Sequence, residues 1–100
     1  MIYAYFVFNG KHFQGVFSEE ELNRISFSPE VDMKYSVRLK AHGKDFTRRL
    51  AQTIFNMDTE AVNSGADCLS YGELAILSAF FTKAARRFGL VREFRENGII

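Results

Sequence analysis

The chain has one cysteine, one proline and no tryptophan among its 100 residues. Cys68 alone cannot close an internal disulfide, which excludes a disulfide-stapled scaffold and suits a reducing compartment; a cytoplasmic location is expected. A single proline, Pro29, leaves little room for long loops. Nothing approaches the roughly eighteen consecutive apolar residues that a membrane span needs. The opening MIYAYFVFNG lacks the basic flank and small-residue cleavage site of a secretory signal. No membrane partner is therefore expected. A surplus of charge is missing too: thirteen Lys and Arg stand against twelve Asp and Glu, a net of +1. That argues against a global field gathering nucleic acid or anionic lipid.

Catalytic constellations are also absent. A Cys–His nucleophilic pair needs thiolate and base brought together. His12 and His42 are the only imidazoles, and nothing in their spacing brings them to Cys68, for which a structural or incidental role is expected. Zinc sites present paired ligands at short spacing, and none occur. Asp58 and Glu60 lack the alternating oxygen ligands of a calcium loop, and no Gly-Lys-Ser/Thr phosphate cradle is found. A protein with no enzymatic activity, cofactor or metal is expected.

What is present is an apolar fraction of 47%, with eleven Phe and four Tyr. That supports a core and one domain over residues 1–100. Ile2–Phe8 and Lys11–Phe17 flank Asn9-Gly10, the dipeptide of a two-residue hairpin turn. The turn pairs Phe8 with Lys11 and thereby sets the register. Ile2, Ala4, Phe6, Phe13, Gly15 and Phe17 then share one face, nearly all apolar and expected to face the core. Tyr3, Tyr5, Val7, His12, Gln14 and Val16 make a second, mixed face.

Two segments, Phe17-Ser18-Glu19-Glu20-Glu21-Leu22 and Leu69-Ser70-Tyr71-Gly72-Glu73-Leu74, carry the same helix start: a Ser cap, a Glu three positions on, and an apolar pair bracketing both. The first predicts a short helix over 19–25, stopped by Ser28-Pro29. Residues 33–40 alternate as a strand with Met33, Tyr35, Val37 and Leu39 inward. A second helix is expected over 45–57 with Phe46, Leu50, Ile54 and Met57 on its stripe, then a loop over 58–69. The last long helix, 71–88, should bury Leu74, Leu77, Phe80, Phe81, Ala84, Ala85 and Phe88, stop at Gly89, and be followed by one or two helical turns. The fold class is α+β: a small antiparallel sheet with two or three helices packed on one face, in the order β-β-α-β-α-α.

Charge is segregated despite its small sum. Lys34, Arg38, Lys40, Lys44, Arg48 and Arg49 fall in one stretch, and Lys83, Arg86, Arg87, Arg92 and Arg95 in another. If the third strand joins the hairpin, its outward Lys34, Arg38 and Lys40 share a face with Tyr3, Tyr5, His12 and Gln14, an arrangement that can stack single-stranded bases. Basic side chains on an edge strand equally deter edge-to-edge association, and that is the favoured reading. Ala84-Ala85-Arg86-Arg87-Phe88-Gly89-Leu90-Val91-Arg92-Glu93 resembles the first helix and turn of a bacterial helix-turn-helix. The resemblance implies a DNA-contacting second helix, but Arg95 and Gly98 replace apolar residues that would dock it.

Protein binding asks least of these residues. Tyr, Phe and Arg anchor interfaces. Phe55 falls on the polar side of its helix, and Ile76 and Ala79 sit among Lys83, Arg86 and Arg87. For Phe55, packing inside the domain is favoured over an exposed patch. Met1 leading straight into a strand has the look of a complete small reading frame, and small proteins without catalytic signatures often act as accessory factors or inhibitors. The sequence thus points to a regulator or inhibitor touching a larger, acidic protein partner through Ile76, Lys83, Arg86, Arg87, Arg92 and Arg95, with Tyr3, Tyr5, His12 and Phe55 as further contacts. A nucleic-acid-binding regulator using the same basic residues is the alternative. Homodimerisation through Phe55 stays open.

Overall fold

A computed structural model describes all residues from 1 to 100. Its elements run β1 (Ile2–Phe8), β2 (Lys11–Phe17), α1 (Glu19–Ser26), β3 (Val31–Arg38), α2 (Lys44–Asn63), α3 (Tyr71–Phe88) and α4 (Val91–Glu96). The chain is α+β, with a three-stranded antiparallel sheet in the order β2-β1-β3. Asn9 and Gly10 both take positive φ, as the hairpin turn requires. The hairpin register follows from it, Ile2 opposite Phe17 and Phe8 opposite Lys11.

β1 is therefore the central strand, and its residues from Ile2 to Phe6 are all buried. Both faces of the sheet are covered. Ile2 and Ala4 pack with Leu22 of α1, flanked by Phe17 and Met33. The larger core lies on the other face, where Tyr3 meets Leu50, Ala51 and Ile54 of α2, Leu77, Phe81 and Ala85 of α3, and Leu90 and Phe94 at α4. This corrects the expectation that the Ile2/Ala4/Phe6 face holds the core. A central strand needs apolar groups on both sides, and IYAYFVF contains no charged or amide side chain. Burying a Phe such as Phe81 or Phe94 contributes about 1.5–3 kcal/mol.

In β3 the ladder shifts between Tyr5 and Phe6: Tyr5 faces Tyr35, yet Phe6 faces Met33. Lys34 is the extra residue of this bulge. Tyr35, Val37 and Leu39 pack towards the large core as expected, whereas Met33 is turned to the α1 side.

Both capping boxes form, Ser18 with Glu21 and Ser70 with Glu73. α2 runs on to Asn63, past the expected end, because Met57 and Ala61 prolong its buried stripe and no breaker precedes Ser64-Gly65. Asp58 and Glu60 are thus helical rather than in a loop. Gly89 takes the left-handed conformation that ends α3, and Leu90 N–H closes the cap on the Ala85 carbonyl at 2.9 Å. On α3, Leu77, Phe81, Ala84 and Ala85 are buried and Phe80 and Phe88 half-buried. Leu74 is 47% exposed, because the first turn of α3 stands at the mouth of a cleft against α2.

Candidate functional site

The helix dipole favours cations at a helix C-terminus, and the last turn of α3 carries Arg86 and Arg87, with Lys83 one turn earlier, all exposed. The Arg87 guanidinium lies 5.2 Å from the Phe88 ring centroid, which orients it along the surface. Beyond Gly89, α4 turns Leu90 and Phe94 into the core and Arg92 and Arg95 into solvent. Ile99 N–H bonds the Phe94 carbonyl at 2.8 Å, folding the terminal residues back against the core. The basic end of the molecule is thus mounted on a fixed support.

The charge partners divide the cations into two groups. Arg24, Lys34, Arg38, Arg48 and Arg92 each hold a carboxylate: Glu20, Asp32, Glu19, Asp45 with Glu93, and Glu96 respectively. Lys83, Arg86, Arg87 and Arg95 hold none within 4.0 Å, and neither do Lys11, Lys40, Lys44 and Arg49. Arg48 reaches Glu93 at 2.7 Å and ties α2 to α4. That hydrogen bond holds the Glu93 carboxyl below its ordinary range and the Arg48 guanidinium above its own. Ile76 is half-buried on the helix that carries the free cations.

The tyrosines are placed differently from the expectation. Tyr3 is 0% and Tyr5 2% exposed, so neither offers a free contact surface, whereas His12 is half-buried and borders a surface cleft with Lys11 and Asp67. Their polar atoms are turned inward to partners. The Tyr3 hydroxyl donates to Gln14 Oε1 at 2.8 Å, and Gln14 Nε2 donates to Asp58 Oδ1 at 2.7 Å and the Asp67 carbonyl at 3.1 Å. Tyr5 Oη and His12 Nδ1 share a hydrogen bond of 2.7 Å. Burial pushes the Tyr3 phenol well above its ordinary pKa, with the Asp58 charge adding to it; burial also raises Tyr35. Nor is the basic, aromatic sheet face assembled. α2 covers the tyrosines, Arg38 sits opposite Ile2 on the α1 side, and Lys34 occupies the bulge.

Phe55 is 38% exposed, which overturns the expectation that it packs internally. It stands between two clefts. One, of about 340 Å³, is lined by Arg48, Gln52, Glu93, Phe94 and Ile99; the other, of about 200 Å³, by Ile54, Leu69, Leu74, Leu77 and Phe81. Ile99 borders both clefts, a neighbour no local sequence pattern identifies. Cys68 is exposed. No group of three or more His, Cys, Asp or Glu is gathered in a metal-binding arrangement. No helix is long and apolar enough to cross a membrane. The turn after α3 has the expected shape, but α4 has only six residues, less than two turns of recognition helix.

Comparison with protein-family models, with curated proteins and with solved structures returned no match to this chain.

Proposed function

We propose that this chain is a non-enzymatic binding protein that regulates or inhibits a larger protein partner by direct contact, using the basic end of α3 and α4. The observation that supports this reading is the grouping of four exposed cations without a carboxylate, Lys83, Arg86, Arg87 and Arg95, on the C-terminal turns of α3 and on α4; the other four unpaired cations, Lys11, Lys40, Lys44 and Arg49, lie on β2, after β3 and on α2. Complementary charge across an interface steers association and rejects wrong partners. Arg is also enriched among interface anchors. Ile76 and Ala79 extend the same helix face with apolar surface. The left-handed cap at Gly89 and the buried Phe94 hold the two helices together, so little ordering cost falls on binding.

The test is capture of a partner from native cell extract by the wild type and by the Arg86→Glu/Arg87→Glu variant. Capture is expected to be lost while circular dichroism and melting temperature stay unchanged. Retained capture by the folded variant removes α3 from the interface. The same experiment addresses nucleic acid. Retention of mixed DNA or RNA at about 50 mM salt, falling by orders of magnitude by about 200 mM, would replace the protein partner with a polyanion.

A further inference from the structure

We propose that the outer edge of β3, with the groove between it and α2, is a second docking surface, separate from the basic end of α3, and that it takes an extended acidic peptide segment of another protein as a fourth strand.

The sheet order leaves β2 and β3 at its two edges, and they are treated differently. On β2, the Val16 N–H is occupied by Glu73 Oε2 at 2.7 Å, and Gln14 reaches across to Asp58 and Asp67. β3 has no such cover. Leu39 N–H bonds the Met1 carbonyl at 2.9 Å, which makes Met1–Leu39 a hydrogen-bonded pair. Antiparallel alternation then points the backbone of Tyr35 and Val37 at β1 and that of Ser36 and Arg38 outward. The Arg38 carbonyl is taken by Lys40 N–H at 2.9 Å. The Ser36 N–H and C=O and the Arg38 N–H remain as an open ladder for an added strand.

Beside this ladder lies an open groove of about 390 Å³, with Tyr35 and Val37 on one wall and Phe46, Arg49, Leu50 and Thr53 on the other. Phe46, Arg49 and Thr53 recur at helical spacing along α2, over a rise of about 10 Å, enough for three strand residues. Phe46 was expected on the buried stripe, but it is 37% exposed here and meets His42 edge to face at 5.2 Å. An added strand would send alternate side chains into this groove, apolar ones against Tyr35, Val37 and Phe46.

Charge selects the occupant. Arg49 in the groove and Lys40 at the end of the edge hold no carboxylate, whereas Lys34 and Arg38 are held by Asp32 and Glu19. A second copy of this chain fits poorly. Antiparallel self-pairing about Ser36 sets Lys34 against Arg38 of the other copy, and like charges directly opposite are destabilising. The Lys34 bulge also limits the regular edge to the segment after it.

The experiment uses the full chain and a pool of ten-residue peptides in which Asp or Glu alternates with varied Val, Ile, Leu, Phe and Tyr. Enrichment of pool members is expected. With an enriched peptide, amide shifts should change at Ser36, Arg38, Phe46 and Arg49, and hydrogen exchange at Ser36 and Arg38 should slow. Arg49→Glu should weaken binding at least tenfold, and so should N-methylation of alternate peptide amides. Ser36→Pro removes an outward N–H that the fold does not use, and should abolish binding with the domain still folded. No enrichment, enrichment unaffected by N-methylation and by Ser36→Pro, or self-association through β3 in place of peptide binding would each overturn the proposal. The Arg86→Glu/Arg87→Glu variant should bind the peptide normally, which separates this surface from the one on α3.

Discussion

Glu73 bridges a helix start and a sheet edge: its Oε1 accepts Ser70 N–H at 3.0 Å, and its Oε2 accepts Val16 N–H at 2.7 Å. One carboxylate therefore completes the capping box of α3 and closes the outer edge of β2. Gly15 makes room for it, since a methyl at that position would stand 2.5 Å from Glu73 Oε2 and 2.9 Å from the Phe17 ring. Glu73→Ala should destabilise by about 1–3 kcal/mol in urea unfolding, from the lost side-chain half of the capping box and an unpaired edge amide, while the bond from Glu73 N–H to Ser70 Oγ remains. Gly15→Ala should cost about 1–3 kcal/mol through overpacking. The Gly15→Ala/Glu73→Ala double variant should lose less stability than the two single costs added together, because removing the carboxylate clears the closer of the two contacts.

Gln14 connects Tyr3, Asp58 and the Asp67 carbonyl. Gln14→Leu should cost about 1–3 kcal/mol, since it strands the buried hydroxyl of Tyr3 and removes a donor from Asp58. The raised Tyr3 pKa has a definite sign. Below the ordinary value of 10.0 both folded and unfolded phenols are neutral and stability is unaffected; above it only the unfolded chain ionises Tyr3, so stability falls as pH rises. Tyr3→Phe should flatten that alkaline decline, as followed by melting temperature against pH.

The Arg48–Glu93 tie acts at the opposite end of the pH scale. The Glu93 carboxyl is held below its ordinary 4.5, mainly by the hydrogen bond from Arg48. Its contribution is therefore present above 4.5 and lost as pH falls through the lower folded-state value. The melting temperature of Glu93→Gln should lie below wild type at neutral pH and meet it in acid. A Glu93 carboxyl titration by NMR at or above 4.5 would contradict this.

Phe55 and Phe94 border the same cleft but have different neighbours. Phe94→Ala should cost about 3–5 kcal/mol, as expected for a ring 1% exposed, edge-on to Phe81 at 5.9 Å. Phe55→Ser should cost less than about 1.5 kcal/mol, because its ring is already partly in water. Chemical denaturation of both variants separates a core ring from a surface one.

Local chemistry carried most of the fold. Asn9-Gly10 set the hairpin register, Ser18 and Ser70 the helix starts, and Gly89 the end of α3. What escaped was whatever depends on elements distant in sequence. The burial of Tyr3 and Tyr5 depends on α2 crossing that face, and on Gln14 and His12 pairing with the hydroxyls. The turning of Met33 depends on one bulged residue, Lys34, whose alternation looks regular in sequence. Of the residues nominated for binding, the exposed cations of α3 and α4 were legible because a helix period separates them from Leu77, Phe81 and Ala84. Phe55 was legible as an outlier but not as a surface group, since the fit of α4 and Ile99 beside it is set by the fold-back after Phe94. The groove along β3 could not be read at all without knowing which strand lies at the edge.

The central position of β1 leaves this sheet with an ambiguity that polarity cannot resolve. In most two-faced sheets a slip of one residue drives apolar side chains into water, and that penalty protects the pairing. Here a slip would exchange Tyr3 and Tyr5 for Ala4 and Phe6, trading one apolar set for another. Alignment must then rest on shape and on fixed points: the small Ala4 and Gly15 set opposite each other, the positive-φ turn at Asn9-Gly10, and the hydrogen bonds that join the hydroxyls of Tyr3 and Tyr5 to Gln14 and His12 of β2.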